Sequence, residues 1–279
     1  MSSAQESVAR FPSGDSRTQA PAHRGGSSIS VRNLNFSYEA ARGKSVLALQ
    51  DINIEIKRGE FVSILGPSGC GKSTLLYLIG GFIPYSKGEI IVGDRKVTGP
   101  GPDRGIVFQQ FALFPWKTVL SNVLYGMEKQ GIPRAERMAR AKELIRTVRL
   151  DGFENSYPSE LSGGMRQRAA IARTLAVEPD ILLMDEPFGA LDAQTRSVMQ
   201  EQVKSIWRDT GKTVVFVTHD VREAVYLSER IILLTKRPGT VKEVIPADFP
   251  KDGEFTTDET FNRTVNHVWH LVRTEFEND

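Results

Sequence analysis

A glycine-rich segment, GPSGCGKST, contains the residue types that bind the phosphates of a nucleotide. It matches the pattern G-x-x-x-x-G-K-[ST] at Gly66, Gly71, Lys72 and Ser73. Glycines let backbone N–H groups surround a phosphate, lysine neutralises phosphate charge, and the serine hydroxyl ligates Mg²⁺. The segment therefore predicts a nucleotide site. Its predicted nucleotide-binding residues are Gly66, Pro67, Ser68, Gly69, Cys70, Gly71, Lys72, Ser73 and Thr74.

A second segment, ILLMDEP, places two carboxylates directly after an apolar strand. In open α/β sheets ligands bind at the carboxyl ends of the strands, where Asp185 and Glu186 would lie. We expect Asp185 to hold Mg²⁺ together with Ser73. Glu186 would orient the attacking water and remove its proton, which predicts a hydrolytic nucleotide site.

Three further residues lie at or near strand ends. His219 follows the apolar strand TVVFVT, so we expect it beside the γ-phosphate. Gln109 follows GIVF and could reach the metal or the water, although ordinary loop polarity explains it equally well. Tyr38 could stack on adenine, but an aromatic residue near a strand end is more often part of the core.

The segment LSGGMRQRAA at 161–170 resembles half of a second phosphate site. Ser162, Gly163 and Gly164 precede a basic, helix-forming run, which is how a helix N-terminus is presented to an anion. The segment has no lysine and no metal ligand of the kind found in 66–74. A simple helix cap at Ser162 is an equally good interpretation of these residues alone.

Strands alternating with helices along most of the chain predict an α/β fold with a largely parallel, doubly wound sheet. β-rich segments precede this pattern, and residues of about 117–170 form a mostly helical lobe. We predict a disordered leader at 1–28, a nucleotide-binding domain at 29–235 and a short C-terminal extension at 236–279. The end of that extension has the pattern of one amphipathic helix, and its His267 and His270 are expected at the surface or in packing.

The bulk composition excludes several function classes. A net charge of +2 gives no reason to expect a nucleic-acid partner. The single cysteine, Cys70, excludes a disulfide framework and suits a reducing compartment. No apolar run approaches the roughly 18–20 residues that span a bilayer, and the N-terminus has no secretory h-region. If the protein acts at a membrane, we expect it to dock on another protein.

Six segments in fixed order resemble the ATP-binding subunit of ABC transporters: GPSGCGKST, VFQQ, LSGGMRQR, ILLMDEP, GALD and VTHD. The resemblance implies a P-loop NTPase (RecA-like) core with a parallel sheet, an N-terminal antiparallel β subdomain and a helical subdomain. It also implies that the nucleotide is ATP and the metal Mg²⁺. Within this pattern Tyr38 corresponds to the aromatic residue that stacks on adenine, and Gln109 corresponds to a Mg²⁺ contact. The implied catalytic residues are Glu186 as the base, His219 as the γ-phosphate sensor, and Lys72.

The same resemblance implies a homodimer with two ATP molecules between the subunits. Ser162, Gly163, Gly164 and Gln167 would contact the ATP of the partner subunit, and Asp192 would lie at the dimer contact. The predicted permease-coupling residues are Gln109, Phe111, Phe114 and Trp116. A buried aromatic loop is the alternative for the last three.

Finer segments, GPGPDRGIVFQQFALFPWKTVLSNVLYGM and LLTKRPGTV, are similar to the ATPases of nitrate/sulfonate/taurine-type importers. This similarity implies solute uptake through a separate transmembrane permease, supplied by a solute-binding protein. The subunit would lie at the cytoplasmic face of the inner membrane. A non-transport ABC ATPase is the alternative, but such proteins generally have two nucleotide units or long coiled-coil insertions, and this sequence shows neither.

Overall fold

The structure is a computed structural model that describes residues 25–39, 45–189, 191–247 and 258–277. Most of the segment predicted as a disordered leader lies outside these residues. Its last four residues are described, and they contact the main sheet. The Ser27 hydroxyl donates to Asp180 at 3.0 Å, and the Ser27 carbonyl accepts a hydrogen bond from the Thr213 hydroxyl at 2.7 Å.

The first part of the described chain folds into an antiparallel sheet in the order β2-β1-β4-β5. Its long strands alternate buried and exposed side chains along much of their length because only one face packs on the core. The predicted N-terminal antiparallel β subdomain is confirmed. The strands are β1 (Ile29–Glu39), β2 (Ser45–Ile56), β4 (Lys87–Val92) and β5 (Arg95–Lys96).

The larger sheet has six strands among the described residues, in the order β10-β9-β3-β8-β7-β6. All neighbouring pairs are parallel except β10 and β9, which are antiparallel. This confirms the predicted largely parallel sheet. The strands are β3 (Phe61–Leu65), β6 (Arg104–Val107), β7 (Ile181–Asp185), β8 (Thr213–Val217), β9 (Arg230–Leu234) and β10 (Val241–Pro246).

The central strands β3, β7 and β8 are buried at every position. Their short, apolar sequences fit this environment, since helices or the other sheet cover both faces of a parallel sheet. Parallel pairing brings the carboxyl ends of these strands to one edge. Asp185 pairs with Val217, and Ile64 also pairs with Val217. Polar residues that follow these strands therefore lie close together.

The predicted helical lobe consists of α2 (Val119–Lys129), α3 (Arg134–Thr147), a 3₁₀ turn (Pro158–Glu160) and α4 (Gly163–Ala176). Side-chain caps fix the starts of two of these helices. The Thr118 hydroxyl accepts a hydrogen bond from Ser121 N, and the Ser162 hydroxyl accepts one from Met165 N. Helix α4 packs against α2 and α3 and also reaches the main sheet at β6.

The remaining helices are α1 (Lys72–Gly80), α5 (Ala193–Thr210), α6 (Val221–Leu227) and α7 (Glu259–Glu277). Helix α7 covers the segment predicted as one amphipathic helix and packs on α6. Among the residues that the structure describes, none of the helices combines the length and the apolar composition that crossing a membrane requires.

The C-terminal segment is part of the main sheet and of the core, and it is not a separate extension. Strand β10 pairs with β9 and forms one edge of the main sheet, so the boundary expected at 235 falls inside a β-hairpin. Buried residues of α7, including Phe261 and Val268, belong to the large core cluster. A second core cluster lies between the two sheets and includes apolar residues of α1.

Candidate nucleotide-binding and hydrolysis site

The phosphate-loop segment joins strand β3 to helix α1. Gly69 and Gly71 have φ values of 76° and 107°, a region that L-residues with a side chain rarely adopt. Gly71 is the N-cap of α1 and supplies no side-chain cap, so the first N–H groups of the helix have no side-chain acceptor there. The segment is therefore built to present backbone N–H groups to an anion.

The predicted lysine is positioned by the loop itself. Lys72 Nζ donates to the carbonyl oxygens of Gly66 at 2.9 Å and Pro67 at 3.1 Å, and the residue is 5 % exposed. A buried ammonium needs hydrogen-bond acceptors, and these two carbonyls supply them. A bound phosphate would replace one of these carbonyls as an acceptor for Lys72 Nζ, or it would be an additional acceptor beside them.

Asp185 lies in the expected position at the end of β7. The Ser73 hydroxyl donates to Asp185 Oδ1 at 2.7 Å, and the Tyr77 hydroxyl donates to Oδ2 at 2.6 Å. Burial, and then the hydrogen bond to Asp185, raise the pKa of Tyr77, so the phenol stays a donor. Among the described residues no cationic side chain forms a salt bridge with the 4 % exposed Asp185. This hydroxyl and carboxylate pair fits Mg²⁺, which prefers oxygen ligands.

Glu186 and His219 also lie together. The distance between His219 Nδ1 and Glu186 Oε2 is 3.0 Å, and Glu186 N donates to the Val217 carbonyl at 3.0 Å. Glu186 has a φ of 41°, which is unusual for a residue with a side chain and costs of the order of 1–2 kcal/mol. That backbone turns the chain sharply at the end of β7, immediately after Asp185.

Gln109 is brought to the same edge of the sheet from β6. A Cβ atom placed on Gly189 would lie 3.8 Å from Gln109 Nε2 and 3.9 Å from Glu186 Oε2. The two side chains therefore flank Gly189. This placement distinguishes Gln109 from a loop residue remote from the site.

A cleft of about 340 Å³ lies above the phosphate loop, and we call it the phosphate-loop cleft. Tyr38 lines it, is 43 % exposed and forms a 2.9 Å hydrogen bond between its hydroxyl and that of Thr74. Tyr38 is therefore not a core residue. The other lining residues include Val46, Ala48, Lys72, Glu186 and Arg237.

Ser162 caps helix α4, as one of the two sequence interpretations predicted, and its side chain is exposed. A Cβ atom on Gly164 would lie 2.5 Å from Thr195 Cγ2, so the start of α4 packs closely on the start of α5. Asp192 caps α5 through hydrogen bonds from Thr195 N at 2.9 Å and the Thr195 hydroxyl at 2.7 Å. Two helix N-termini thus lie side by side.

Gln167 does not lie with these residues at the surface. It is 0 % exposed, and neither its side-chain oxygen nor its nitrogen has a hydrogen-bond partner within the described residues. Helical spacing puts Gln167 on the same inward face of α4 as Gly164 and Ile171. The contact of Gln167 with the partner's ATP stays a prediction, and it would require this side chain to leave its buried position.

The aromatic segment after Gln109 lies at least partly at the surface. Trp116 is 72 % exposed and contacts the Phe114 ring, with 5.7 Å between ring centroids. This excludes a fully buried loop. Phe111 has a φ of 45°. The Arg173 guanidinium of α4 donates to the carbonyls of Phe111 and Ala112, which ties this segment to the helix that begins at Ser162.

One network beside His219 was not expected from the sequence. The Thr218 hydroxyl donates to Glu223 Oε2, Gln200 Nε2 donates to Glu223 Oε1 at 3.1 Å, and Asp220 N donates to the Thr218 hydroxyl at 3.0 Å. Burial raises the pKa of Glu223, although the hydrogen bonds from Thr218 and Gln200 partly oppose the rise. The network fixes the residues on both sides of His219.

Comparison with known proteins shows to which family this chain belongs. The family model described as ABC transporter matches residues 49–189, a segment that contains the phosphate loop, Asp185 and Glu186. The chain belongs to the ABC transporter ATPase family. ATP hydrolysis is the activity of this family, and the predicted resemblance is confirmed.

Two relatives of this ABC ATPase belong to importers. The taurine import ATP-binding protein of Rhizobium johnstonii is 50 % identical over 221 residues, which are 79 % of this chain and 84 % of the relative. The nitrate import ATP-binding protein of Synechocystis sp. is 47 % identical over 233 residues, 84 % of this chain and 87 % of the relative.

A solved ATP-binding cassette has the same fold. That structure is a dimer in a post-hydrolysis state, bound to ADP and phosphate. It is 37 % identical to this ABC ATPase with a TM-score of 0.71, and the match covers 80 % of this chain and 100 % of the cassette. The predicted P-loop NTPase fold is thereby confirmed.

Three residues at the site of this ABC ATPase were missed from the sequence. Tyr77 follows Ser73 by four positions on α1, so helical spacing could have placed both on the side facing Asp185. Glu223 has no such local signal, because its partners come from α5 and from the end of β8. Arg237 reaches the phosphate-loop cleft through the β9–β10 hairpin, which only the three-dimensional structure reveals.

Proposed function

We propose that this ABC ATPase is the ATP-hydrolysing subunit of an importer, that it works as a homodimer around two ATP molecules, and that it drives uptake through a separate permease. One observation supports the proposed homodimer. Among the described residues, none of Ser162, Gly163 and Gly164 lines the cleft above the chain's own phosphate loop. Ser162 is instead exposed at a helix start, where it is available to a second subunit.

Each subunit would bind ATP in its phosphate-loop cleft. The backbone N–H groups of 66–74 and the Lys72 ammonium would hold the phosphates, and the Tyr38 ring would stack on adenine. Ser73 and Asp185 would hold Mg²⁺, with the Gln109 amide as a further oxygen ligand. When bound, Mg²⁺ would neutralise phosphate charge that develops during the reaction.

Hydrolysis would depend on Glu186 and His219. The Glu186 carboxylate would orient the attacking water and accept its proton. His219, whose Nδ1 atom lies 3.0 Å from Glu186 Oε2, would hold this carboxylate and contact the γ-phosphate. The unusual backbone of Glu186 supports this role, since strained residues cluster at functional sites.

The second subunit would complete the site. Its Ser162 hydroxyl and the N–H groups of Gly163 and Gly164 would contact the γ-phosphate of the first subunit's ATP, while Asp192 would lie at the contact between subunits. ATP would hold the two subunits together and hydrolysis would release them, so that the attached permease changes conformation. Because α4 starts beside α5, Ser162 and Asp192 can serve one interface.

The permease would contact the aromatic segment at the surface. Trp116 and the neighbouring Phe111 and Phe114 offer an apolar surface to a short permease helix, and Gln109 would link this contact to the metal site. The subunit would thus lie peripherally at the cytoplasmic face of the inner membrane. A solute-binding protein would deliver the solute to the permease.

The transported solute is proposed to be an anion of the sulfonate, taurine or nitrate type. The support is the identity of 50 % and 47 % to taurine and nitrate import ATP-binding proteins. This ATPase itself would contact nucleotide and permease but not the solute.

Reconstitution would test the proposal. The protein would be purified with the membrane proteins encoded beside its gene, and uptake of labelled taurine and nitrate into proteoliposomes would be measured with the neighbouring solute-binding protein. We expect ATP-dependent uptake of one of these anions, and none with Glu186→Gln. An ATPase rate that no neighbouring membrane protein changes, together with no uptake, would instead favour a non-transport ABC ATPase.

A further inference from the structure

Arg237 gives the phosphate-loop cleft a second cationic side chain. Among the described residues, Lys72 and Arg237 are the basic residues that line this cleft. Lys72 is held by two carbonyls of the loop, whereas no acidic side chain of the described residues forms a salt bridge with Arg237. A guanidinium presents several N–H donors in a planar arrangement that matches phosphate oxygens.

The hairpin turn that contains Arg237 is fixed against the site. Gly239 N donates to the Ala48 carbonyl and Gln50 N donates to the Gly239 carbonyl, both at 2.9 Å. A Cβ atom on Gly239 would lie only 2.2 Å from the carbonyl oxygen of Cys70, within the phosphate-binding segment. The turn therefore packs directly on the phosphate loop and keeps residue 237 at the cleft.

Helix α7 also holds this turn. Glu275 Oε2 accepts a hydrogen bond from Lys236 N at 3.0 Å, and Glu275 Oε1 accepts one from Lys242 Nζ at 2.6 Å. Lys242 Nζ also donates to the Leu271 carbonyl at 3.1 Å and to the Thr274 hydroxyl at 2.7 Å. Burial alone would raise the pKa of Glu275, but these donors lower it below its ordinary value.

We propose that Arg237 binds the phosphate chain of the nucleotide and that Glu275 is a positioning residue for it, so the C-terminal helix takes part in nucleotide binding. The inference rests on the proposed function, because it requires ATP in the phosphate-loop cleft. The location of the turn on the Cys70 carbonyl favours the phosphates over adenine, since adenine would lie at the Tyr38 ring.

The test measures equilibrium binding of fluorescent ATP and ADP analogues to the full chain. Arg237→Ala should weaken binding of both by about tenfold or more, as expected for loss of a charge-assisted hydrogen bond. It should also make the affinity less dependent on salt. Arg237→Lys should recover part of the loss, because lysine keeps the charge without the planar donor set. Arg95→Ala, on the exposed strand β5, is the matched control and should bind like the wild type.

The role of Glu275 is tested through Arg237. Glu275→Gln should raise the KM for ATP while kcat at saturating ATP stays near the wild-type value. In the Arg237→Ala background it should have little additional effect on nucleotide affinity, because the residue it positions is absent. If the losses of nucleotide affinity from the two substitutions add up in the double variant, the positioning role of Glu275 is overturned. A merely structural contribution of Glu275 would persist without Arg237.

The outcomes separate this inference from the proposed function. If the wild type binds the analogues, Lys72→Ala does not, and Arg237→Ala binds as tightly as Arg95→Ala, the nucleotide site stands and the role of Arg237 is overturned. If wild type and Lys72→Ala behave alike, the proposed nucleotide site itself is wrong.

Discussion

His219 Nδ1 lies 3.0 Å from Glu186 Oε2, although the two residues belong to different strand ends and are 33 positions apart in the sequence. Parallel pairing of β7 with β8 brings them together. The contact joins the proposed base to the proposed γ-phosphate contact. The two side chains therefore form one unit at the site.

Removing the imidazole should slow turnover strongly without abolishing nucleotide binding. We expect His219→Ala to lower kcat for ATP hydrolysis by about 10²–10³-fold, since general-base and charge-stabilising groups contribute on this scale. The ATP affinity should change little. Steady-state kinetics and nucleotide binding would be measured together. His267→Ala is the control, because His267 is an exposed histidine that contacts Glu243 on the surface. A His219→Ala rate within a fewfold of this control would contradict the role.

The Tyr77 hydroxyl should orient Asp185 toward the metal. Tyr77→Phe removes the 2.6 Å hydrogen bond and leaves the ring in place, so we expect the Mg²⁺ concentration for half-maximal hydrolysis to rise about tenfold. Binding of ADP without Mg²⁺ should be unchanged. Tyr85→Phe is the matched control, because its hydroxyl donates to the Val97 carbonyl outside the site. Equal Mg²⁺ requirements in both variants would show that Tyr77 has only a packing role.

The buried carboxyl of Glu223 should make stability depend on pH. Burial raises its pKa in the folded state, with a smaller contribution from Asp220, while Thr218, Gln200 and Arg196 lower it. The folded state therefore binds this proton more tightly than the unfolded state, and stability is lost as pH rises from the unfolded pKa through the folded pKa.

Glu223→Gln removes that titration. The melting temperature of the variant minus that of the wild type should increase as pH rises above about 4.3, the ordinary glutamate pKa. This difference should level off above the pKa of Glu223 in the folded state. Differential scanning calorimetry across this range would measure the difference. An opposite trend, with the variant gaining stability relative to wild type as pH falls, would contradict the assignment.

Much of the site follows from short sequence segments. The phosphate loop, Asp185, Glu186 and His219 were predicted because apolar strands precede them and parallel strands end at one edge. The sequence alone leaves the roles of Gln109 and Tyr38 ambiguous, whereas the structure places Gln109 beside Gly189 and Tyr38 in the phosphate-loop cleft. Helical spacing could have shown that Gln167 faces inward.

Other features depend on contacts between distant segments. The sequence VKEVIP gives no sign that β10 pairs with β9 at the edge of the main sheet, and this pairing produces the turn that carries Arg237. Glu223 is likewise surrounded by residues from α5 and the end of β8. Local propensity and periodicity do not contain this information, because side-chain placement here is set by tertiary packing.

We propose that two copies of this chain enclose ATP and that hydrolysis through Glu186 releases them. Sedimentation of Glu186→Gln with and without ATP tests it most directly. We predict a monomer without nucleotide, a dimer with ATP, and almost no turnover. Adding Ser162→Arg to the same chain should preserve ATP binding but prevent the dimer. A Glu186→Gln protein that stays monomeric with bound ATP, or that hydrolyses ATP at a near-normal rate, would contradict the account.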